Sequence, residues 1–436
     1  MDSRSSSFTR KSSSSVTPRS PPSSSRQVRR YRGPVARLQF PDGFLWGTAT
    51  AAHQVEGGNV NNDWWAFEHA EGTPCLESSG DGCDSWNRWP EDLDLVARLG
   101  FGVYRFSLEW SRIEPAEGEW SLAALEHYRD ICSGCYRRGL RPMVTFHHFT
   151  TPRWLAERGG WEAADAPERF ASFCARVVEA IGDVISYACT LNEPNIVALM
   201  GYGYGIFPPG VRDWDRRRAV NDALCRAHRL AVDALRSGPR SFPVGLTLSM
   251  NDYQALPGGE ERLVELRRDS EDVFLEACAG DDFVGVQNYS RARVDASGML
   301  GPEKGVPVTQ MGYEYWPSAL GACVRRAAEV TGLPVIVTEN GIGTADDAQR
   351  RSFVTEALAG LHRCVEEGVD VRGYIHWSLL DNFEWVLGYG PTFGLVAVDR
   401  ESFDRRPKPS AVWLGEVARA NRLEVSAAGS AGSARS

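Results

Sequence analysis

From residue 38 onward, short apolar runs alternate with longer amphipathic segments. The short runs are rich in β-branched and aromatic residues and do not alternate with polar ones, which is typical of strands buried on both faces. The longer segments repeat apolar residues every three or four positions, which predicts helices. The predicted strands are residues 44–50, 103–107, 142–146, 184–191, 244–249, 283–289, 335–338 and 374–379.

Seven helical patterns separate these strands, with no break in composition between Leu38 and Arg422. Eight strand–helix alternations favour one α/β domain, a single (β/α)8 TIM barrel over residues 38–423, rather than two domains. In such a barrel the active site lies at the C-terminal ends of the strands. The predicted helices are residues 90–99, 122–138, 168–181, 218–235, 261–278, 319–330 and 348–367.

Polar and aromatic side chains collect where the predicted strands end. Residues 190–194 read Thr-Leu-Asn-Glu-Pro, and residues 337–341 read Val-Thr-Glu-Asn-Gly. A single glutamate before a turn is most often a solvated residue. Two apolar strands that both end on a carboxylate beside an asparagine predict two carboxylates in one site, because a buried charge is costly unless it is used. Other strand ends carry Arg105, His147, His148, Gln287, Asn288, Tyr289, Trp377 and Ser378.

The composition excludes several classes of protein. The chain is 42% hydrophobic and 24% charged, with a formal net charge of −9. A mildly acidic chain lacks the basic surface that nucleic acids and anionic membranes attract, so we expect neither as a partner. No segment approaches the roughly 18 uncharged apolar residues that span a bilayer. The chemistry must therefore be sought in the polar strand ends.

The first 37 residues differ from the rest because they are rich in Ser and Arg and lack an apolar run. That pattern excludes a secretory signal and resembles an organellar transit peptide, with a disordered tail or an early start codon as alternatives. Only three lysines stand among 48 basic residues, which indicates a GC-rich bacterial coding sequence. We therefore predict a disordered leader over residues 1–37 and a flexible tail over residues 424–436.

Ten cysteines are scattered through predicted helices and strands. Without a secretory signal they are expected to be reduced in a cytoplasmic protein. Cys132 and Cys135 form a CxxC, but it lies within a helical pattern and has no partner pair, so neither zinc nor redox chemistry is indicated. No clustered set of His and Asp ligands is visible. The sequence predicts no metal and no cofactor.

Four separated motifs carry a family resemblance. They are FLWGTATAAHQVEG at residues 44–57, TLNEP at 190–194, VTENG at 337–341 and WSLLDNFEW at 377–385. With these motifs in this order, the chain from about Arg37 to Leu423 resembles family 1 glycoside hydrolases, the β-glucosidase and β-galactosidase type. A single five-residue match would be weak, whereas four in order on a barrel pattern are specific.

The resemblance implies a retaining mechanism with Glu339 as nucleophile and Glu193 as general acid/base. Retaining hydrolysis needs two carboxyl groups about 5–5.5 Å apart. By the same resemblance Asn192 donates to the sugar 2-hydroxyl, while Arg105 and Tyr289 surround Glu339 and keep it ionised. The pKa of Glu193 is expected to be raised, most strongly by the charge of Glu339.

Further residues match the family's sugar contacts. An amide, an imidazole and a carboxylate can pair vicinal hydroxyls, and an indole can cover the apolar face of the ring. Phe149 and Gln287 depart from the usual Trp and Asn, and Tyr315 and Trp316 fall in a stretch that resembles the aglycone-side loop. A carboxylate at Glu384 disfavours phosphorylated sugars. The implied sugar ligands are Gln54, His148, Glu384 and Trp385, with Trp377 as a platform beneath the ring.

Three functions compete on this pattern. The first is a retaining exo-β-glycosidase acting on terminal non-reducing β-D-glucosides, with β-galactosides and β-fucosides as further substrates. The second is a transglycosidase that uses the same site, because water and an alcohol attack the same intermediate. The third, a non-catalytic sugar-binding barrel, predicts a missing carboxylate, whereas both are present. The expected partner is a small-molecule β-glycoside, and the oligomeric state stays open.

Overall fold

Eight parallel strands close into a barrel in the computed structural model, which describes residues 35–426. Each strand pairs with its neighbours in chain order, and the last pairs with the first to close the ring. The predicted (β/α)8 architecture is confirmed. The strands β1 to β8 are Leu45–Ala49, Val103–Ser107, Arg141–His147, Tyr187–Asn192, Val244–Ser249, Phe283–Gln287, Val335–Asn340 and Val371–Trp377.

A helix follows every strand of the barrel. The fifth helix is interrupted by a π-helical turn at Arg268–Asp272 and resumes as Val273–Ala277. The eighth was absent from the predicted helices, although Pro409 occupies its first turn, where proline favours a helix start. The helices α1 to α8 are Ser85–Leu99, Leu122–Arg137, Ala166–Ile181, Trp214–Arg236, Glu260–Arg267, Ala319–Thr331, Asp347–Glu366 and Pro409–Ala420.

The chain between these elements forms short helices and strands. Residues 378–408 after β8 and the connections after β5 and β6 carry several of them. The short helices are Ala52–Val55, Asp63–Glu68, Trp110–Ile113, Arg153–Ala156, Gly160–Glu162, Gly182–Val184, Pro194–Ala198, Leu199–Gly203 and Trp385–Leu387. The short strands are Val35–Gln39, Asp252–Ala255, Arg291–Asp295, Gly298–Met299, Val396–Val398, Arg405–Pro407 and Arg422–Ser426.

Two strands begin three residues away from their predicted starts, whereas every other strand boundary lies within two residues of the predicted one. The run predicted at 184–191 becomes a strand only at Tyr187, because Gly182–Val184 still forms a helical turn. The run predicted at 374–379 begins earlier, at Val371, and ends at Trp377, where a cis peptide bond joins it to Ser378. Apolar character alone does not separate a strand from the buried turn beside it.

The barrel is filled by apolar side chains at one end and by polar ones at the other. Inward-facing residues such as Leu45, Val103, Met143, Phe283 and Ile336 form one buried cluster. Toward the C-terminal ends of the strands, buried polar and charged side chains replace them. The buried polar side chains therefore lie at the C-terminal end of an otherwise apolar barrel interior, which is where barrel enzymes have their active sites.

The predicted leader and tail lie mostly beyond the part of the chain that the structure describes. Residues 1–34 and 427–436 are outside it, and the barrel unit spans Arg37–Val425. Among residues 35–426, none of the helices combines the length and the apolar character that crossing a bilayer requires.

Candidate active site

Glu339 is the next-to-last residue of β7, and hydrogen-bond donors surround its carboxylate. Arg105, on β2, donates from Nη1 to Oε1 of Glu339 at 2.6 Å. Tyr289, just past β6, donates from its hydroxyl to Oε2 at 2.6 Å, and the Gln287 amide donates to Oε1 at 3.0 Å. Glu339 is only 4% exposed. Three donors from two other strands thus fix both carboxylate oxygens. Two residues later, Gly341 allows β7 and the end of β8 to approach closely, because a Cβ at this position would overlap the carbonyl oxygen of Trp377.

Arg105 also fixes the orientation of Asn192 at the end of β4. Its Nη2 donates to Asn192 Oδ1 at 2.5 Å, and Gln287 Nε2 donates to the same oxygen at 2.9 Å. The amide nitrogen must then be the other atom, and it lies 3.3 Å from Nε2 of His148. A neutral His148 accepts this bond, which leaves Nδ1 as a buried N–H without a partner among the described residues.

Glu193 follows Asn192 in an unusual backbone conformation. Its φ is +45°, and it occupies the N-cap of the short helix Pro194–Ala198. Its backbone N–H donates to the carbonyl of Thr247 on β5 at 2.8 Å. Phe149 (φ +68°) and Trp385 (φ +53°) share this left-handed conformation, so three of the six such non-glycine residues within 35–426 lie at this end of the barrel. Backbone strain of this kind concentrates at functional sites.

The two carboxyl groups have different electrostatic surroundings. Burial raises the pKa of Glu339, but the charge of Arg105 and the bonds from Tyr289 and Arg105 oppose that rise. Burial raises the pKa of Glu193 well above its usual range, and the negative charge of Glu339 adds to the effect. The raised pKa of Glu193 agrees with prediction, but its expected main cause was wrong, because burial outweighs the charge of Glu339. Glu339 is the group that ionises first.

Gln54 and Glu384 come together through the loop after β8. Gln54 Nε2 donates to Asn382 Oδ1 at 3.1 Å and to the Phe383 carbonyl at 2.7 Å. Its Oε1 is buried and has no hydrogen-bond partner in the described part of the chain. Burial, followed by the charge of Glu339, raises the pKa of Glu384 to about 8. The site thus contains an amide oxygen, Gln54 Oε1, that is available to accept a hydrogen bond, and a carboxyl group, Glu384, that binds a proton more readily than an exposed glutamate.

Aromatic rings pack against one another beside these polar groups. The ring of His148 lies nearly parallel to Trp377, at 5.8 Å and 20°, and to Trp385, at 6.1 Å and 15°. Trp385 is held from behind by Trp64, at 4.5 Å, and by Phe149, at 5.0 Å. Flat apolar faces beside carboxylate and amide groups suit a sugar ring, which has an apolar face and a polar edge.

A sequence model described as glycosyl hydrolase family 1 matches residues 36–292 and 281–423. The chain belongs to glycosyl hydrolase family 1. It is 32% identical to β-glucosidase A of Thermotoga maritima over 88% of this chain and 99% of that protein. This membership makes it a glycoside hydrolase.

Solved structures of family 1 enzymes superpose on the whole barrel. The β-glycosidase BGL167 is 46% identical with a TM-score of 0.83, over 87% of this chain and 97% of that one. The Thermotoga maritima β-glucosidase in complex with glucoimidazole is 30% identical with a TM-score of 0.83, over 88% and 99%. The same enzyme has been solved in complex with galacto-hydroximolactam. The family 1 barrel therefore accounts for the fold of this chain.

All ten predicted site residues of this glycoside hydrolase lie at the C-terminal end of the barrel, on the strands or in the loops that follow them. Direct hydrogen bonds join Arg105, Asn192, Tyr289, His148 and Glu339. Gln54 contacts the loop that carries Glu384 and Trp385, while Trp377 stacks near His148. Glu193 lies close enough to Glu339 and Glu384 for their charges to add to burial in raising the pKa of its carboxyl group.

Sequence reasoning missed two contributors to the site. Thr247 donates to Asn192 Oδ1 at 3.3 Å, and nothing in its strand distinguishes it from a core threonine. Tyr313 lies near Glu384 and Glu193, whose charges add to burial in raising the pKa of its phenol. The proposed aglycone contacts lie elsewhere: Tyr315 donates to Glu356 on α7, and Trp316 stacks 3.5 Å from the guanidinium of Arg291. The sequence identified this loop, but not Tyr313 as the residue in it that lies near Glu384 and Glu193.

His147, beside the site residue His148, lies in an aromatic core. Its ring meets Trp161 edge-on at 5.1 Å, and neither ring nitrogen has a hydrogen-bond partner among residues 35–426. Burial lowers its pKa to about 3. Below about pH 6.5 this histidine binds a proton in the unfolded chain but stays neutral in the folded one. The free energy of unfolding therefore falls by about 1.4 kcal/mol per pH unit until the pH reaches the pKa of the folded state.

Replacing His147 with Phe is expected to flatten the loss of stability between pH 6.5 and 4, because a ring of similar size removes the titrating group. Urea unfolding at pH 7, 6, 5 and 4 measures this. A second variant, His127→Phe, removes another histidine whose pKa burial lowers, here to about 4, and it should flatten the same loss. Equal pH dependence in His147→Phe and the unmodified protein would contradict the assignment.

Proposed function

We propose that this family 1 enzyme is a retaining β-glucosidase that removes terminal β-D-glucosyl residues from non-reducing ends. The observation that carries the proposal is the asymmetry of the two carboxyl groups. Glu339 is held by Arg105, Gln287 and Tyr289, which favour its anionic form. Burial and the charge of Glu339 favour the protonated form of Glu193. One anion and one acid are what the first step of retention needs.

In the first step, an oxygen of Glu339 attacks the anomeric carbon while Glu193 gives its proton to the departing glycosidic oxygen. The C–O bond to the aglycone breaks, and an ester bond joins the sugar to Glu339. Ester formation neutralises Glu339, and so it removes one of the causes that raise the pKa of Glu193. Glu193 has lost its proton by the end of the first step, and its carboxylate is less destabilised once Glu339 is uncharged.

In the second step, Glu193 acts as a general base. It takes a proton from a water molecule, whose oxygen attacks the anomeric carbon from the face that the aglycone left. The ester bond to Glu339 breaks, and the sugar departs with its original β configuration. Arg105 and Tyr289 stabilise the carboxylate as it reappears, because their hydrogen bonds strengthen when charge returns to its oxygens. Beside the N–H that His148 accepts, Asn192 Nδ2 has a second N–H that can donate to the sugar 2-hydroxyl.

Replacing Tyr289 with Phe is expected to lower kcat/KM by roughly 10–100-fold, the range for losing one hydrogen bond to a charged group. The lost bond lowers the pKa of Glu339 in the intact enzyme. Its removal should therefore move the acidic limb of the pH–rate profile to higher pH, because Glu339 must be ionised to attack. Rates from pH 4 to 9 on an aryl β-glucoside test this.

The control for Tyr289→Phe is Tyr136→Phe, at a phenol on α2 that is 39% exposed and whose hydroxyl contacts that of Ser186. It should leave the acidic limb in place. An acidic limb that does not move in Tyr289→Phe would mean that another group sets it, even if the rate falls.

We infer a preference for glucose from the sugar-facing groups. Gln54 Oε1 has no partner in the described chain, and Gln54 binds the loop that carries the Glu384 carboxyl group, so the two can accept from hydroxyls of one sugar. The related Thermotoga maritima enzyme has been solved with both a gluco- and a galacto-configured ligand. We therefore propose β-galactosides and β-fucosides as slower substrates. Transfer to an alcohol is the alternative fate of the same glycosyl-enzyme, and the ratio of products decides it.

The proposal is tested by proton NMR of an aryl β-D-glucoside during hydrolysis. The β anomer of glucose should appear first and the α anomer only later, by mutarotation. Immediate α-glucose would overturn retention. The α-glucoside serves as a control and should stay intact. Addition of methanol measures transfer, because methyl β-glucoside then accumulates at the expense of glucose.

A further inference from the structure

Three buried side chains with ligand atoms meet behind β4, in the helical layer. His228 lies on α4, and Cys278 and Asp281 lie in the turn that leads from helix Val273–Ala277 to β6. One ligand atom from each, an imidazole nitrogen, a thiol sulfur and a carboxylate oxygen, all lie within 4.8 Å of one another. The reaction at Glu339 uses none of them. The cluster therefore needs a separate explanation.

The imidazole and the carboxylate lie within ion-pair distance but lack the geometry of a hydrogen bond. His228 Nε2 and Asp281 Oδ2 are 3.2 Å apart. Neither atom has a hydrogen-bond partner in the described chain, because the N–H direction does not meet the oxygen. Two buried polar atoms left in this way are costly. An ion between them would satisfy both atoms, and Cys278 Sγ, which donates to the Phe274 carbonyl at 3.2 Å, would give up that bond to join them.

The separation also fits a metal ion. Two ligands at about 2.0 Å from a tetrahedral zinc ion lie about 3.3 Å apart. The second imidazole nitrogen, Nδ1 of His228, is 2.8 Å from the hydroxyl of Thr190 on β4. When Nδ1 donates to that hydroxyl, Nε2 carries a free lone pair. Metal-binding histidines are usually oriented by such an outer contact.

We propose that His228, Cys278 and Asp281 form a structural zinc site that ties α4 to the turn before β6. A nitrogen, a sulfur and an oxygen donor suit zinc, whereas magnesium and calcium prefer oxygen ligands alone. Binding deprotonates the Cys278 thiol and releases its proton to solvent. A water molecule or the second oxygen of Asp281 completes four ligands. Because His228 lies fifty positions before Cys278 in the sequence, no spacing motif indicated the site.

The test uses the full-length protein, stripped of metal with a chelator and titrated with ZnCl2. Isothermal titration should give one zinc per chain, and the melting temperature should rise with added zinc, since an ion that binds only the folded state stabilises it. Substituted Co²⁺ should show the absorption of a tetrahedral site with a thiolate ligand.

Three variants locate the ion. Asp281→Asn keeps the shape of the side chain but loses its charge, and it should weaken zinc binding by at least about tenfold, as losing even an outer-shell partner does. Cys278→Ser should abolish the thiolate band of bound cobalt. Cys174→Ser, at a buried thiol on α3, is the matched control and should bind zinc as the unmodified protein does.

The absence of zinc binding to the unmodified protein would overturn the proposal. So would zinc binding of unchanged affinity in Asp281→Asn, because the ion would then sit on other cysteines. If Cys278→Ser does not fold, Asp281→Asn alone carries the test. Hydrolysis of an aryl β-glucoside below the melting temperature should be unchanged in Asp281→Asn, which separates this site from the carboxylates at the strand ends.

Discussion

Replacing Glu339 with Gln is expected to lower kcat/KM for aryl β-glucosides by about 10⁴-fold or more, because the covalent route then lacks its nucleophile. The amide cannot form the glycosyl ester, and the charge of Arg105 stays buried without its partner. Breaking a buried ion pair costs about 3–5 kcal/mol, so thermal melting must show that the variant is still folded. Steady-state kinetics on one aryl β-glucoside measure the loss.

Two comparisons make the Glu339 result specific. Glu114→Gln alters another buried carboxylate, one that accepts from the Trp110 indole, and it should leave kcat/KM nearly unchanged. In Glu339→Ala, added azide can enter the vacated space and displace the aglycone once, which inverts the centre and gives the α-glucosyl azide. Retained activity in a folded Glu339→Gln, or a β-azide from Glu339→Ala, would remove Glu339 as the nucleophile.

Replacing Glu193 with Gln is expected to lower the rate by about 10²–10⁴-fold for aglycones that leave poorly, the usual contribution of a general acid. A dinitrophenyl aglycone needs no proton to leave, so formation of the glycosyl-enzyme should be affected little. Its hydrolysis should then become rate-limiting, because the general base is also lost. Pre-steady-state bursts with the dinitrophenyl glucoside, set beside steady-state rates with an alkyl glucoside, separate the two steps.

The pH profile offers a second signature of Glu193. Its raised pKa places the loss of its proton on the alkaline limb, so that limb should disappear in Glu193→Gln. Azide added to Glu193→Ala should yield the β-glucosyl azide, the opposite anomer from Glu339→Ala. An equal fall for good and poor leaving groups would contradict the role of Glu193 as acid.

The sequence predicted those parts of the site that lie on strands. Arg105, Asn192 and Glu339 lie within the last three positions of apolar strands, and parallel strands in a barrel bring their C-terminal ends to one place. Their mutual hydrogen bonds follow from that placement, although no pattern in the sequence gives the distances. The order of the strands around the barrel then decided which ends became neighbours.

Other parts depend on loop geometry, which periodicity does not report. The carbonyl of Phe383 holds Gln54 only because the loop after β8 folds back over the first strand. Tyr313, rather than Tyr315 or Trp316, faces the carboxylates because of the path of an irregular loop. The group around His228 joins segments fifty residues apart across two helices. Such contacts arise from tertiary packing, whereas the periodicity of a sequence shows only which residues share a face of one helix or strand.

The measurement that tests the central claim most directly is trapping with a 2-deoxy-2-fluoro-β-D-glucoside that carries a good leaving group. Fluorine at carbon 2 slows both formation and hydrolysis of the glycosyl-enzyme. The good leaving group keeps its formation faster than its hydrolysis, so the intermediate accumulates. Peptide mapping by mass spectrometry should find one fluoroglucosyl group per chain, on the peptide that contains Glu339. An adduct on another peptide, or no adduct on a folded protein that hydrolyses the ordinary glucoside, would contradict the account.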